Sequence, residues 1–145
     1  MRIAVLSDTH DRLPESVVAG VSHADEIWHL GDVCEPSILA RLEALRRPLR
    51  LVRGNCDSHL AWPLTLDFEI EGRRVHLEHI PARRPPADCH LFLHGHTHLP
   101  RDEKLHGTRF LNPGCITRPN RGAPASWAWL ILEKGQPIGW RLVRV

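Results

Sequence analysis

The sequence of 145 residues contains no tyrosine, one methionine and only two lysines, Lys104 and Lys134, so nearly all of its basic residues are arginines. It also lacks a large charge of either sign, since the formal net charge is +2. A dedicated nucleic-acid-binding domain carries a much larger basic excess. The composition therefore does not indicate a nucleic-acid partner.

Long apolar runs are missing as well. The first apolar run, residues 3–6, ends at Ser7 and Asp8 and is too short for a signal peptide or a membrane span. We expect a soluble, cytoplasmic protein with no membrane partner. The length and the 42% hydrophobic content favour a single domain over residues 1–145, and a homo-oligomer is left open.

No two cysteines form the CxxC spacing of a thiolate zinc site. With no export signal, we expect reduced thiols rather than disulfides. The four cysteines are Cys34, Cys56, Cys89 and Cys115.

The first half of the chain alternates predicted strands with predicted helices, which is typical of an α/β fold with parallel strands. The strands are residues 3–6, 26–30 and 49–52, and helices are predicted to begin near Pro14 and Pro36. From Leu64 onward the pattern predicts hairpins and short strands. These are residues 64–70 with 75–79, residues 91–93, a hairpin around Gly107, and residues 127–132 with 138–143.

Metal-ligating side chains follow these strands at five places where an apolar run ends. Because strand ends at one edge of a sheet lie close together, we expect the side chains to converge. Their carboxylate, amide and imidazole groups suit manganese, iron, zinc or nickel better than magnesium. Two ions about 3.5 to 4 Å apart need a bridging carboxylate, for which Asp32 is the candidate. The predicted ligands are Asp8, His10, Asp32, Asn55, His79, His96 and His98.

This ordered set resembles the calcineurin-like metallophosphoesterase superfamily. The GNCD form at residues 54–57 and the NPG turn at residues 112–114 are similar to its small bacterial and archaeal phosphodiesterases. The resemblance implies a metallophosphoesterase-type two-sheet sandwich flanked by helices (αββα) and two divalent ions, with manganese preferred. By position, one ion is implied to bind Asp8, His10, Asp32 and His98, and the other Asp32, Asn55, His79 and His96.

The implied reaction is hydrolysis of a phosphodiester in which a hydroxide bridging the two ions attacks phosphorus in line. Asp32, Asn55 and His96 are the candidate catalytic residues. Cys56 stands where distant members have a histidine that protonates the leaving group, and Asp57 or solvent is the predicted substitute. We therefore expect a small phosphoester substrate with a good leaving group, such as an aryl or nucleotide diester.

Two alternatives come from other classes of function. One is a non-catalytic protein-binding scaffold of the same fold, like the retromer subunit of this superfamily. The other is a binding module with a single structural zinc.

Other side chains near the motifs receive minor predictions. His29 and His94 are predicted to orient a ligand, Arg118 and Arg121 to clamp phosphate, and Trp127 and Trp129 to lie in a core or an interface. The remaining histidines are predicted to be structural, in loops or on solvent faces. They are His23, His59, His76, His90 and His106.

Overall fold

Two five-stranded sheets form the body of the computed structural model, which describes residues 1–145. The strand orders are β10-β9-β1-β2-β3 and β4-β5-β6-β8-β7. In chain order the elements are β1 (Arg2–Leu6), α1 (Glu15–Val21), β2 (Glu26–His29), α2 (Pro36–Glu43), β3 (Leu49–Leu51), β4 (Thr65–Ile70), β5 (Arg73–Glu78), β6 (Leu91–Leu93), β7 (Arg101–Leu105), β8 (Thr108–Asn112), β9 (Ser126–Ile131) and β10 (Gly139–Arg144).

The first sheet is built around β1, which pairs in parallel with β2, while β2 pairs in parallel with β3. Helices α1 and α2 make the two crossovers, as the sequence predicts. On its other side β1 pairs antiparallel with β9, which pairs antiparallel with β10. The predicted parallel unit and the predicted terminal hairpin are both confirmed.

The second sheet begins with the predicted hairpin of β4 and β5, in which Thr65 is opposite Glu78 and Ile70 is opposite Arg73. Strands β5, β6 and β8 are parallel to one another. The hairpin of β7 and β8 closes the sheet around Gly107, which has a φ of 88°.

Side-chain alternation on β1 divides the hydrophobic core into two layers. Ile3 and Val5 are buried against side chains of the second sheet, whereas Ala4 and Leu6 are buried against the helices. Trp127 and Trp129 lie in the helix-side layer, which confirms the prediction of a core position.

Both helices therefore pack on the same face of the first sheet. The chain between β5 and β6 forms no helix. The predicted two-sheet sandwich is confirmed, and both of its helices lie on one side, against the first sheet. Neither helix is long and apolar enough to cross a membrane.

Main-chain hydrogen bonds join the loops that follow the parallel strands. The Asp8 N–H donates to Gly31 O at 3.0 Å, and the His10 N–H donates to Asp32 O at 2.8 Å. In the second sheet the Gly95 N–H donates to His79 O at 3.1 Å. These bonds fix the relative positions of the loops that carry the predicted ligands.

Candidate metal centre

The predicted ligands meet where the carboxyl ends of the parallel strands of both sheets face each other. His10 and His98 approach through their Nε2 atoms at 3.4 Å, and His98 Nε2 lies 3.1 Å from Asp8 Oδ1. His79 Nε2 lies 3.9 Å from the same Asp8 oxygen and 3.3 Å from Asp32 Oδ2. Asp8 and Asp32 thus stand on either side of one buried imidazole.

Asn55 and His96 complete the cluster on its solvent side. Asn55 Oδ1 lies 2.9 Å from His96 Nδ1, and the His96 ring lies 5.3 Å from the His79 ring, centroid to centroid. Both residues are exposed, whereas Asp8, Asp32 and His79 are buried. The structure therefore brings all seven predicted side chains together, with the carboxylates inside and an open face at Asn55 and His96.

Left-handed backbone conformations concentrate in these loops. Such conformations are uncommon for residues with a side chain and persist only where the surrounding structure enforces them. They direct side chains from three tight loops, which follow β1, β2 and β6, toward one point. The predicted ligands with positive φ are Asp8 (55°), His10 (50°), Asp32 (56°), His96 (67°) and His98 (58°).

Backbone carbonyls fix the orientation of two of the histidines. His79 Nδ1 donates to Leu30 O at 2.7 Å, and His98 Nδ1 donates to Arg118 O at 2.6 Å. In the neutral form of each ring the proton is then on Nδ1, so Nε2 presents a lone pair toward the carboxylates. This is the arrangement that orients metal-binding histidines.

Two buried polar atoms at the centre of the cluster have no hydrogen-bond partner: Asp8 Oδ1 and His79 Nε2. Their neighbours lie close but are not aligned for hydrogen bonding. Buried polar atoms are normally satisfied, and leaving one unpaired is costly. A divalent cation accepts lone pairs from both atoms at once, so the residues present fit a metal site.

The charges of the cluster lead to the same conclusion. Burial raises the pKa of Asp8. Burial alone would raise the pKa of Asp32 too, but the neighbouring His79 and the Cys56 N–H hold it well below its usual range. For His79, burial alone would lower the pKa, but the carboxylates of Asp32 and Asp8 outweigh it and raise the pKa. A bound cation would replace the proton that these carboxylates otherwise share with imidazole.

Asp57 holds together the loops that carry Asp32 and Asn55, a role that was not predicted from the sequence. Its Oδ2 accepts the N–H groups of Asp32 at 2.9 Å and Gly54 at 2.7 Å, and its Oδ1 accepts the N–H of Cys34 at 2.8 Å. With both oxygens engaged, Asp57 is poorly placed to act as the leaving-group acid that the sequence analysis considered. The signal available in the sequence was an aspartate three residues after a loop glycine, which favours a side-chain bond to that glycine N–H.

We expect Asp57→Asn to lower Mn²⁺ affinity by about 10- to 100-fold and to destabilise the metal-free protein by about 1 to 3 kcal/mol. The amide nitrogen that replaces one oxygen would face an N–H donor instead of accepting it. Calorimetric titration and urea unfolding measure the two effects. Asp88→Asn, at an exposed aspartate, is the matched control and should change neither; equal affinity in both variants would contradict the positioning role.

His29 joins two ligand-bearing loops but contacts no predicted ligand side chain. Its Nδ1 accepts the Gly31 N–H at 3.2 Å, so its Nε2–H donates to Thr9 Oγ1 at 3.0 Å. The ring is fully buried, and burial lowers its pKa to about 4. His29 thus stabilises the loops as a neutral imidazole.

This depressed pKa predicts a pH-dependent stability for the metal-free protein. The ordinary pKa of histidine is about 6.5, so His29 contributes its stability fully above pH 6.5 and loses it progressively toward pH 4. The maximum slope for one such group is about 1.4 kcal/mol per pH unit. Urea unfolding of the chelator-treated protein between pH 7 and pH 4.5 should show a shallower slope for His29→Asn. His23→Asn, at an exposed histidine, should keep the wild-type slope, and equal slopes for both variants would contradict the assignment.

His94 is also buried, and burial lowers its pKa to about 4. Its Nδ1 contacts Gly95 O at 3.0 Å, which fixes the loop before His96.

The prediction for His76 was wrong, because this residue is buried rather than on a solvent face. It lies between Asp67 at 2.8 Å and Glu78 at 3.3 Å.

Two further predictions concern arginines and cysteines. The side chains of Arg118 and Arg121 are exposed, and Arg118 contacts the cluster through its carbonyl. A role for either guanidinium in phosphate binding stays a prediction. All four cysteines are free, as predicted.

Comparison with known proteins identifies the family. The family model described as the calcineurin-like phosphoesterase superfamily domain matches residues 1–135. The chain therefore belongs to the calcineurin-like phosphoesterase superfamily. This confirms the predicted metallophosphoesterase class and its two-sheet fold.

Two relatives in sequence illustrate this membership, and two solved structures show the likeness of fold. A probable metallophosphoesterase from Methanothermobacter thermautotrophicus is 36% identical over 144 residues, which cover 86% of this chain and 83% of the relative. Phosphodiesterase YfcE from Escherichia coli is 29% identical over 160 residues, which cover 90% of this chain and 87% of the relative. The solved YfcE structure gives a TM-score of 0.78 over 100% of both chains. Zn²⁺-bound Vps29 from Entamoeba histolytica gives a TM-score of 0.80 at 20% identity over 99% of each chain, a likeness of fold alone.

Proposed function

We propose that this protein is a phosphodiesterase that binds two divalent ions, with Mn²⁺ preferred, through the seven clustered side chains. The observation that carries the proposal is the pair of unpartnered buried atoms, Asp8 Oδ1 and His79 Nε2. Asp8, His10, Asp32 and His98 would hold one ion. Asp32, Asn55, His79 and His96 would hold the other.

Two ions bound in this way activate water as a nucleophile and neutralise the charge that develops on the phosphoryl oxygens. Asp32 would serve both ions; its Oδ2 lies 3.3 Å from His79 Nε2, and the Cys56 N–H, which donates to Oδ1 at 2.8 Å, fixes the orientation of the carboxylate. The backbone bonds of His79 and His98 keep their Nε2 lone pairs directed inward, so no reorganisation of these rings is needed. Exposed Asn55 and His96 border the face from which a phosphate can enter.

The preference for diesters with good leaving groups follows from what the site lacks. Cys56 occupies the position at which distant family members have a histidine acid, and Asp57 uses both oxygens on backbone N–H groups. A thiol is only a weak hydrogen-bond donor, and Asp57 has both oxygens occupied, so neither residue would be an effective acid for the departing oxygen. Aryl or nucleotide diesters, whose leaving groups need little protonation, are therefore the proposed substrates. The similarity to phosphodiesterase YfcE supports the same class.

The experiment that tests this proposal combines metal stoichiometry with turnover. Metal-free protein should bind two Mn²⁺ per chain in a calorimetric titration, and hydrolysis of bis(4-nitrophenyl) phosphate should appear as the second ion binds. Mg²⁺ is the comparison ion and should bind more weakly, because the donor set is rich in imidazole. Two bound ions without hydrolysis of any diester would refute the activity and leave the metal centre standing.

The similarity of fold to Vps29 keeps the protein-binding scaffold as the second candidate function. A scaffold of this kind would show no turnover of any diester, whether or not it binds a divalent ion, since Vps29 itself is seen with Zn²⁺. A single structural zinc would instead give one tightly held ion and unfolding on chelation. The cytoplasmic location stays a prediction, and a homo-oligomer stays open.

A further inference from the structure

The three most exposed of the large hydrophobic side chains line one cleft beside the candidate metal centre. Leu60 is 81% exposed, Leu64 is 60% exposed and Ile80 is 53% exposed. The cleft has a volume of about 520 Å³, and Asn55 and His79 line it as well. Because two predicted metal ligands line this cleft, a substrate bound to the ions would extend into it.

The fold positions these side chains on two adjacent segments. Thr65 at the start of β4 is paired with Glu78 at the end of β5, so Leu64 and Ile80 lie on neighbouring chain ends. Arg53 anchors the third, because its Nη1 donates to Leu60 O at 3.1 Å. The apolar surface is therefore built by a hairpin end and a tethered loop.

The two carboxylates of the same cleft are already engaged within the protein. Glu78 faces His76 Nε2 at 3.3 Å and accepts the Ala82 N–H, while Asp57 accepts backbone N–H groups with both oxygens. The Arg53 guanidinium donates one N–H to Leu60 O. A second phosphate group would face two carboxylates against one guanidinium here, whereas an uncharged apolar group would contact Leu60, Leu64 and Ile80.

We propose that this cleft binds one apolar, uncharged arm of the phosphodiester, with an aryl group as the best occupant. The proposal rests on the proposed function, since it is the phosphoryl group at the metal centre that delivers the arm to the cleft. Covering exposed leucine and isoleucine with an aromatic ring removes apolar surface of both partners from water. The cleft therefore selects diesters by the apolar surface of one arm.

The test measures binding, so that it does not depend on turnover. Phenyl phosphate and methyl phosphate are titrated calorimetrically into the Mn²⁺-loaded protein; both present the same phosphate to the ions and differ only in the organic group. Wild type should bind phenyl phosphate about tenfold more tightly, as expected for burying part of one ring. The double variant Leu64→Ser/Ile80→Ser should reduce this preference to about twofold or less, with the affinity for methyl phosphate unchanged.

Leu105→Ser, at another exposed hydrophobic residue outside the cleft, is the matched control and should keep the wild-type preference. An unchanged preference in the double variant, or no preference in wild type, would overturn the assignment of the cleft. Hydrolysis of bis(4-nitrophenyl) phosphate is measured on the same samples. A protein that prefers phenyl phosphate through Leu64 and Ile80 but hydrolyses no diester would refute the proposed activity and support the cleft.

Discussion

Asp32→Asn is expected to lower kcat/KM of the Mn²⁺-loaded protein for bis(4-nitrophenyl) phosphate by at least about a hundredfold. Asp32 is the carboxylate proposed to serve both ions, and asparagine supplies only one neutral oxygen donor. That remaining oxygen can still accept the Cys56 N–H, so the loop is expected to keep its conformation. The variant therefore removes charge and a metal ligand while conserving shape.

Stopped assays at saturating Mn²⁺ and calorimetric titration together separate the causes of this loss. A bridging role predicts that the variant binds fewer than two ions per chain or binds them much more weakly. Asp88→Asn removes an exposed carboxylate and should retain wild-type turnover and stoichiometry. Equal turnover by Asp32→Asn and wild type would remove Asp32 from the reaction centre.

Much of the fold could be predicted because the hydrophobic pattern of each strand is strong. The alternation in residues 64–70 and the continuous apolar run of residues 3–6 distinguish a strand with one covered face from a strand buried on both faces. The position of the helices was harder to predict. Which face of a sheet a helix covers depends on residues that are distant in sequence, such as Val17 and Leu42, which share one core cluster with the β1 side chains of Ala4 and Leu6.

The convergence of the ligands could also be anticipated, because parallel strands place their carboxyl ends at one edge. The orientation of each ligand could not. It depends on backbone acceptors, such as Leu30 O for His79 and Arg118 O for His98, that no local pattern in the sequence reveals. His76 illustrates the same limit: its alternation on β5 suggests a solvent face, but Phe92 covers it, with the ring centroids 5.0 Å apart.

The loop glycines illustrate a feature of the site that the spacing of motifs in the sequence does not reveal. In the sequence, Gly31 and Gly54 are compatible with ordinary turns. In the structure, an added Cβ on Gly31 would lie 2.8 Å from His79 Nδ1 and 2.8 Å from the Gly54 nitrogen. The glycines are needed because other loops of the cluster occupy the space that a side chain would fill.

Gly54→Ala is expected to have a large structural effect although it adds only one methyl group. An added Cβ would lie 2.1 Å from Asp32 Oδ1 and 2.3 Å from the Asp32 nitrogen. The backbone nitrogen cannot move away as a flexible side chain could, so the loop that carries Asp32 must shift. We expect a destabilisation of about 3 kcal/mol and loss of measurable Mn²⁺ binding, because a displaced Asp32 no longer reaches the ions.

Thermal unfolding and Mn²⁺ calorimetry of the same samples measure both effects, and Gly107→Ala is the appropriate comparison. Gly107 has a φ of 88° and no atom within 4 Å of an added Cβ, so alanine there costs only backbone strain, about 1 kcal/mol. That control should bind Mn²⁺ like wild type. Gly54 has no such φ, so any loss in Gly54→Ala comes from collision with Asp32. Wild-type Mn²⁺ affinity in Gly54→Ala would show that the loops of β2 and β3 need not meet this closely for the metal centre to form.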